Sequence, residues 1–335
     1  MKTVDKTGLE SGIAARLRGF GLAAAVSLLL SGTALAAEHD RWTHEKEFVP
    51  NPSCTVGDAW DPDVDRPSHT ALRQLAPSLN MLRIGVVTTN RSIASPFGSI
   101  LVGPAIDISC RLAVKLRLPI EFHTYIPAAN SLAGFRNHEY EIGYAFDTTQ
   151  PPFPSDVAVA NPYIGVENTY WVLVDSPFES VSDVDRPGVI IGVAGGTAPD
   201  AYLTKHLQFA TLVDSYPDPA SALKALKAGQ VTAAAAGRPA GASNPDPAYR
   251  ALPDDIFVAF LAPFVAVNNE AAVCYLSDYI EGSKKSGLIQ QAITRASAPP
   301  FQPLVGDVIP GPMATCEHGD DETDTGDRER RQGGR

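Results

Sequence analysis

The stretch Gly195-Gly196-Thr197-Ala198-Pro199-Asp200 has the residue types and spacing of a ligand-binding helix start. Thr197 is a good N-cap, proline is tolerated in the first helical turn, and Asp200 follows Thr197 at the spacing of a capping box. Two glycines before the cap let the backbone approach a ligand closely. N–H groups at a helix start attract anions. The motif predicts an anion contact at Gly196, Thr197 and Ala198; the alternative is an ordinary capped helix without a ligand.

The first 36 residues predict export. A basic stretch with Arg16 and Arg18 precedes an apolar run, 19–30, and small residues follow at Ala34-Leu35-Ala36. This pattern is typical of a secretory signal peptide, and the apolar run is shorter than the roughly 20 residues of a membrane-spanning helix. We therefore expect cleavage near Ala36 and a soluble, periplasmic mature chain; a buried helix of the fold is the alternative.

Net charge and cysteine content argue against several kinds of partner and site. Losing the signal peptide removes four Lys or Arg and two Asp or Glu, which takes the formal charge from −11 to −13. Such an acidic chain repels nucleic acid and anionic lipid, so we expect neither as a partner. Four cysteines in an oxidising compartment predict two disulfides, and the absence of a C-x-x-C pair argues against a zinc ribbon or a thioredoxin-type site.

Strand and helix patterns alternate along the body of the chain. Apolar runs predict strands at 81–87, 118–125, 141–146, 189–194, 211–216 and 231–236, and helical spacing predicts helices at 106–116, 130–135, 201–207 and 219–228. An extended stretch, 256–268, precedes two closing helices, 270–282 and 286–296. Two successive β-α-β cycles predict an α/β fold with two doubly wound lobes, since this length exceeds what one core usually organises.

Several segments carry a family resemblance in their order. Leu82–Gly85 opens the first strand, Glu141–Gly143 precedes a threonine-containing turn, Asn161-Pro162-Tyr163 stands before a predicted crossover, and 223–231 follows the Gly-Gly-Thr loop. In this order they resemble the extracytoplasmic solute-binding proteins of ABC importers, family 3, the amino-acid-binding type. The resemblance covers roughly 80–300 and implies the type II periplasmic-binding-protein fold, in which two crossover strands join lobes that close on a ligand.

The resemblance also implies domain boundaries, which complete the prediction. The expected segments are a signal peptide at 1–36, an N-terminal extended arm at 37–79, lobe 1 at 80–170, lobe 2 at 171–258, a lobe 1 return segment at 259–312 and a disordered tail at 313–335.

Departures from the family pattern bear on the ligand. Members that bind α-amino acids place an arginine upstream of the Pro-Tyr pair for the carboxylate and an aspartate after a lobe 2 strand for the ammonium group. This chain has Phe153 and Gly237 at those two positions. The expected ligand is therefore not a standard α-amino acid. If Arg91 and Arg238 both face the cleft, a small organic anion is the favoured ligand.

Further candidate ligand contacts follow from the matched positions. Asp147 and Thr148 lie at the matched lobe 1 turn, although Asp147 alternatively bonds its own backbone. Arg91 and Phe97 lie in the loop after the first strand, where Arg91 suits an acidic ligand and Phe97 a planar or cationic one. A solvated charge and a core side chain are the respective alternatives. Arg238, at a strand end, is the last candidate.

The predicted function is capture of a small polar molecule and its delivery to an ABC permease, by a monomer without cofactor or metal. One alternative is a binding partner of a periplasmic quinoprotein dehydrogenase or a sensor. A second is a dehydratase-type enzyme using Glu167 or Asp147 as general acid, although the chain has no G-x-S-x-G, H-E-x-x-H or Walker motif. Metal binding by Cys316 and His318 would require an ordered tail.

The placement of the cysteines suggests a pairing. Cys110 lies on the first lobe 1 helix, and Cys274 lies on a closing helix that the resemblance returns to the same lobe. Cys54 and Cys316 lie in the flanking extensions. Because a disulfide needs Cα atoms within about 7 Å, this placement favours Cys110–Cys274 and Cys54–Cys316.

Overall fold

The structure, a computed structural model, describes residues 51–54, 64–126, 129–148, 153–242, 245–297 and 307–308. All of these belong to one unit of the chain, Phe48–Arg335. The predicted signal peptide, the predicted tail and Cys316 lie outside the described residues.

Helices and strands alternate through the described residues, with a short 3₁₀ turn at Val181–Asp183. In chain order the elements are α1 (His69–Leu75), β1 (Leu82–Val87), β2 (Ser95–Phe97), β3 (Ile100–Val102), α2 (Pro104–Leu116), β4 (Ile120–Tyr125), α3 (Ala129–Arg136), β5 (Ile142–Asp147), β6 (Val157–Val159), β7 (Ile164–Leu173), β8 (Ile190–Ala194), α4 (Ala198–His206), β9 (Thr211–Tyr216), α5 (Pro219–Lys227), β10 (Ala233–Gly237), α6 (Arg238–Ala242), β11 (Tyr249–Ala251), β12 (Phe257–Ala266), α7 (Glu270–Lys285), α8 (Leu288–Ser297) and β13 (Asp307–Val308).

One sheet runs through the described residues in the order β4-β1-β5-β12-β7-β10-β8-β9. At one end β1 pairs in parallel with β4 and β5, and at the other β8 pairs in parallel with β9 and β10. Between them β12 and β7 pair antiparallel to each other and to their neighbours. We call β7 and β12 the crossover strands. The first lobe is β1, β4 and β5 with α1–α3, α7 and α8, and the second lobe is β8–β10 with α4 and α5.

Each lobe has its own apolar core. In the first lobe, β1 contributes Leu82, Ile84 and Val86, all fully buried beneath α2, α7 and α8. In the second lobe, Ile191 and Val193 of β8 pack in a separate cluster. Strands that are buried on both faces have continuous apolar runs in their sequence. This explains why β1 and β8 could be predicted from the sequence.

Helix α1 departs from the extended arm that the sequence predicts at 37–79. Ser68 caps it, with its Oγ accepting a hydrogen bond from the Ala71 N–H at 3.1 Å. Leu72 and Leu75 are three residues apart, so they lie on the same face of the helix, and both are buried against the first-lobe core. The Gln74 side chain accepts a hydrogen bond from the Ala272 N–H of α7 at 2.9 Å. The end of the arm is therefore a packed part of the first lobe.

The disulfide pairing differs from the prediction. Cys54 is bonded to Cys110, with a Cα–Cα distance of 5.4 Å. The arm reaches α2 because it lies along the first lobe, where the Leu101 N–H donates to Ser53 Oγ at 2.9 Å. Cys274 is also disulfide-bonded. The predicted pairs Cys110–Cys274 and Cys54–Cys316 are both wrong, because Cys110 is already bonded to Cys54.

Candidate functional site

A cavity of about 340 Å³ lies where the two lobes and the crossover strands meet. The first lobe contributes the end of β1 and the loop that follows it. The second lobe contributes the first turns of α4 and α5 and the end of β10, and both crossover strands form part of the wall. Small-molecule sites are usually concave and often lie between domains, which makes this cavity the candidate site.

Arg91 is the first-lobe cation of this cavity. Its loop is folded by Asn90, whose backbone oxygen accepts hydrogen bonds from the Ile93 and Ala94 N–H groups at 2.9 Å each. One Arg91 nitrogen, Nη2, donates to the Ala296 backbone oxygen of α8 at 3.3 Å. Burial lowers the pKa of the guanidinium from its ordinary value, but an arginine remains charged in a protein. The wall of the first lobe is therefore cationic.

The start of α4 brings Gly196, Thr197 and Ala198 to the opposite wall. Gly195 leaves no room for a Cβ, which would overlap the Asp214 backbone oxygen of β9. Gly196 has φ of 71°, in the left-handed region that favours glycine. The two glycines thus serve different needs, and together they set the position of the first turn of α4.

The capping box expected at α4 is not formed. The Thr197 hydroxyl donates to the Ala194 backbone oxygen at 2.6 Å and makes no capping bond to the helix. Asp200 instead accepts a hydrogen bond from the Gly196 N–H at 2.8 Å. Asp200 therefore bonds the residue before the predicted cap, and Thr197 bonds back to the end of β8. The N–H groups of Thr197 and Ala198 have no intrahelical acceptor, as at any helix start, and they belong to residues that line the cavity.

A second helix start, that of α5, also lines the cavity. Asp218 caps this helix, and its Oδ1 accepts from the Ser221 N–H at 2.7 Å. Lys224, one turn further along, is exposed and lines the same cavity. Among the described residues of the wall, Arg91 and Lys224 are the two cations and Asp218 is the one carboxylate, which is already engaged by its own helix. The electrostatic balance of the cavity favours an anion.

The remaining wall is built from small apolar residues and one buried amide. Ala235, Ala236 and Ala259 are among the residues that form it, and no aromatic side chain is found among the described residues that line it. Asn168 of β7 is only 3% exposed, and its Nδ2 donates to the Val166 backbone oxygen at 2.9 Å. Sequence reasoning missed Asn168, Asp218 and Lys224. Only Asp218 had a sequence signal, as the N-cap of a predicted helix.

Three of the predicted contacts lie away from this cavity. Phe97 is 44% exposed at the end of β2 and does not line it. Asp147 is buried at the end of β5, where its Oδ1 accepts from the Phe260 N–H of β12 at 2.8 Å. Thr148 continues this pairing, since its N–H donates to the Phe260 oxygen at 2.8 Å. Asp147 and Thr148 join β5 to a crossover strand.

Arg238 lies behind the cavity wall and not in it. Its neighbours Gly237 and Pro239 line the cavity, but its own guanidinium is directed to Glu167 and Asp255. It also donates to the backbone oxygens of Leu252, Pro253 and Asp254. The cavity therefore brings together Arg91, Gly196, Thr197 and Ala198 of the eight predicted contacts.

No group of three or more His, Cys, Asp or Glu side chains suited to a metal ion occurs in the described part of the chain. His39, His44 and the tail residues Cys316 and His318 lie outside it. Among the helices that the structure describes, none is both long and apolar enough to cross a membrane.

Solved structures with a similar fold include amino acid-binding proteins and substrate-binding proteins of ABC transporters. The solute receptor for L-cysteine of Neisseria gonorrhoeae is 21% identical, with a TM-score of 0.57 over 68% of this chain and 93% of that one. The fold is that of a type II periplasmic binding protein. An amino acid ABC transporter substrate-binding protein from Streptococcus pneumoniae, bound to L-arginine, is 18% identical, with a TM-score of 0.56 over 66% of this chain and 95% of that one.

A third similar structure is that of an ancestral amino acid-binding protein, a precursor of cyclohexadienyl dehydratase. It is 18% identical, with a TM-score of 0.56 over 64% of this chain and 95% of that one. No protein-family model matches the sequence, and no curated protein matches it. The likeness to solved structures therefore identifies the fold.

Proposed function

We propose that the protein is an extracytoplasmic solute-binding protein that captures a small organic anion between its lobes and delivers it to an ABC permease. The observation that carries this proposal is the pairing of Arg91 on the first-lobe wall with the first turn of α4 on the second-lobe wall of one cavity. A cation and a helix start that face the same space both favour a carboxylate. The same arrangement gives each lobe a contact that would hold the lobes closed.

The ligand that fits best has a carboxylate but no α-ammonium group. An α-ammonium group is held most strongly by a carboxylate, and the wall's described carboxylate, Asp218, caps α5 through the Ser221 N–H and shares the cavity with the like-charged competitor Lys224. Similar structures include proteins whose names state L-cysteine and L-arginine as ligands. The replacement of the zwitterion-binding residues by Phe153 and Gly237 supports a different ligand here.

Size and wall chemistry limit the ligand further. A volume of about 340 Å³ is at the lower end of the roughly 300–1,000 Å³ typical of ligand pockets. Ala235, Ala236 and Ala259 provide an apolar surface, and no aromatic face from the described residues is available for stacking. We therefore expect a compact acid with a short aliphatic body and not an aromatic or cationic molecule.

A binding role is favoured over a dehydratase role. Asp147 bonds the Phe260 N–H and Glu167 pairs with Arg238, and neither lines the cavity. A general acid must lie within hydrogen-bond reach of the group it protonates. The carboxylate that does line the cavity, Asp218, is engaged as a helix cap.

The cationic contact is tested by Arg91→Gln. The variant should weaken binding of the tightest acid in a panel of short aliphatic carboxylates by about tenfold or more, because a charge-assisted hydrogen bond is lost. Arg73→Gln is the matched control: Arg73 bonds His69 on α1 and does not line the cavity. Calorimetry on both variants measures the effect, and equal affinities for the two variants would contradict the proposal.

A further inference from the structure

The pairing of β7 with the chain segment from β11 to β12 has a gap in its middle. β12 pairs with 164–168 of β7, and β11 pairs with 171–173 of the same strand. Between these ladders, residues 252–256 form a turn opposite Thr169 and Tyr170. Two backbone bonds flank the gap, from the Leu252 N–H to the Tyr170 oxygen at 2.9 Å and from the Ile256 N–H to the Asn168 oxygen at 2.7 Å. Along its other edge β7 pairs with β10 of the second lobe from Asn168 to Trp171, so the gap lies beside the point where the crossover strands leave the second lobe.

Side chains fill the gap from two directions. The Thr169 hydroxyl, which is fully buried, donates to the Leu252 and Asp254 backbone oxygens at 3.2 and 2.7 Å. Arg238 reaches the same turn from the end of β10. Its Nη1 donates to the Leu252 oxygen at 3.2 Å, and its Nη2 donates to the Pro253 and Asp254 oxygens at 2.8 and 3.2 Å.

The same guanidinium also contacts a carboxylate on each side of the gap. Its Nε lies 3.1 Å from Glu167 Oε2 on β7 and donates to Asp255 Oδ1, two residues before β12, at 2.9 Å. Three carbonyls and two carboxylates therefore surround one guanidinium, and its Nε, Nη1 and Nη2 all take part. A lysine could not match this set, because its ammonium group lacks the planar fork.

We propose that Arg238 is a hinge clamp: it ties β7 to the turn before β12 and so sets the angle between the two lobes. Its position also connects this clamp to the cavity, because Gly237 and Pro239, its neighbours in sequence, line the wall. Opening of the cleft bends the crossover strands where they leave the second lobe, beside the gap, and the clamp resists this bending. Arg238 is thus a positioning residue that acts on lobe geometry without touching a ligand.

The chain offers a matched control for this clamp. Arg250 of β11 likewise donates to backbone oxygens, those of Ser176 at 3.3 Å and Phe178 at 2.7 Å, and lies 3.6 Å from Glu179. Its partners follow β7 on the second-lobe side, so Arg250 does not contact the turn at 252–256 or Glu167. Removing Arg250 should therefore affect local stability without changing the interlobe angle.

The test compares Arg238→Gln with Arg250→Gln in the protein without added ligand. Amide hydrogen exchange at Leu252 and Ile256 should become at least about tenfold faster in Arg238→Gln, and small-angle X-ray scattering should give a larger radius of gyration. Exchange in β1 and β8 should stay unchanged in both variants. Equal changes in the two variants, or no change in Arg238→Gln, would overturn the proposal.

A second variant covers the case in which Arg238→Gln does not fold. Glu167→Gln removes the charge of the β7 partner, which is 39% exposed, and leaves the carbonyl contacts of Arg238 in place. We expect faster exchange at Leu252 and Ile256 in the same direction but by a smaller factor. Unchanged exchange at both amides in Glu167→Gln would overturn the clamp.

Discussion

Asp107 is a buried carboxylate in the first turn of α2, and its ionisation is opposed by its surroundings. The side chain forms an ion pair with Arg295 of α8, yet burial raises the pKa of Asp107 to about 6, against an ordinary value of 3.8. Burial thus outweighs the attraction of the cation. The pair joins two helices of the first lobe, so its protonation state bears on the packing of α8 against α2.

The raised pKa of Asp107 predicts a specific pH dependence of stability. Between pH of about 4 and 6 the folded protein holds a proton that the unfolded chain releases. The contribution of Asp107 to the free energy of unfolding should therefore fall as pH rises through this window, by at most about 1.4 kcal/mol per pH unit. Above pH of about 6 it should be constant.

Urea unfolding of the wild type and Asp107→Asn at several pH values between 4 and 7 measures this effect. The difference in unfolding free energy between the two proteins should change with the predicted sign in the window. Parallel pH profiles for the two proteins would show that Asp107 does not titrate there.

At the residue level, the sequence indicated which residue types face the cavity at some positions, but not which groups the other side chains contact. Arg91 and the Gly-Gly-Thr motif do line one cavity, because a loop after a first strand and a helix start face the cleft in this fold. Arg238 has the right type and lies one residue from the wall, but its guanidinium is directed to backbone oxygens of the turn at 252–254. The side on which a side chain lies at a strand end is set by tertiary packing, which no local pattern encodes. Asn168 was missed for the same reason.

Among the elements, the Cys54–Cys110 bridge ties the N-terminal arm to α2. The bridge closes a loop with a sequence separation of 56 residues, which contains α1 and the β2–β3 hairpin. Residues 51–54 also contact the first lobe through the Leu101 N–H, which donates to Ser53 Oγ, and through Asn51 Nδ2, which donates to the Ile120 backbone oxygen at 3.4 Å. The bridge adds a covalent attachment to these contacts.

Loss of this bridge should lower the free energy of unfolding by up to about 4 kcal/mol, since closing a loop of this length restricts the unfolded chain. The Cys54→Ser/Cys110→Ser double variant measures the cost by chemical denaturation.

Peptide mapping of the wild type without reduction should recover Cys54 linked to Cys110. Because the chain has four cysteines and Cys274 is also disulfide-bonded, the remaining pair is expected to be Cys274–Cys316. A Cys54 peptide linked to any other cysteine would contradict this pairing.

Elements with a strong period were predicted well, and those defined by tertiary contacts were not. The helix expected at 106–116 is α2, which starts two residues earlier because Pro104 suits the first turn. β1 and β9 match their predicted runs within a residue. Helix α1 was missed because its seven residues show less than two turns of periodicity. The β2–β3 hairpin was missed because each strand has three residues.

At the scale of the whole molecule, two sources predicted the fold. The order of elements predicted two doubly wound lobes, and the resemblance of several segments to family 3 solute-binding proteins implied the type II periplasmic-binding-protein fold. The sheet order with two antiparallel crossover strands confirms that fold. The ligand is not encoded in that order. Similar structures at 15–21% identity share the fold, and such identities show the fold alone, so ligand class must be argued from the cavity wall.

The central claim is that this cavity selects a carboxylate without an α-ammonium group. The direct measurement is a comparison of acids with the amino acids that differ from them only by that group: succinate with aspartate, glutarate with glutamate, and 4-methylpentanoate with leucine. A ligand that binds the folded state increases the free energy of unfolding by mass action, by about 2.7 kcal/mol at a hundredfold excess over its Kd. This gain raises the melting temperature. At least one acid should raise the melting temperature, and its amino acid should leave it unchanged. An amino acid that stabilises the protein more than its paired acid would contradict the account.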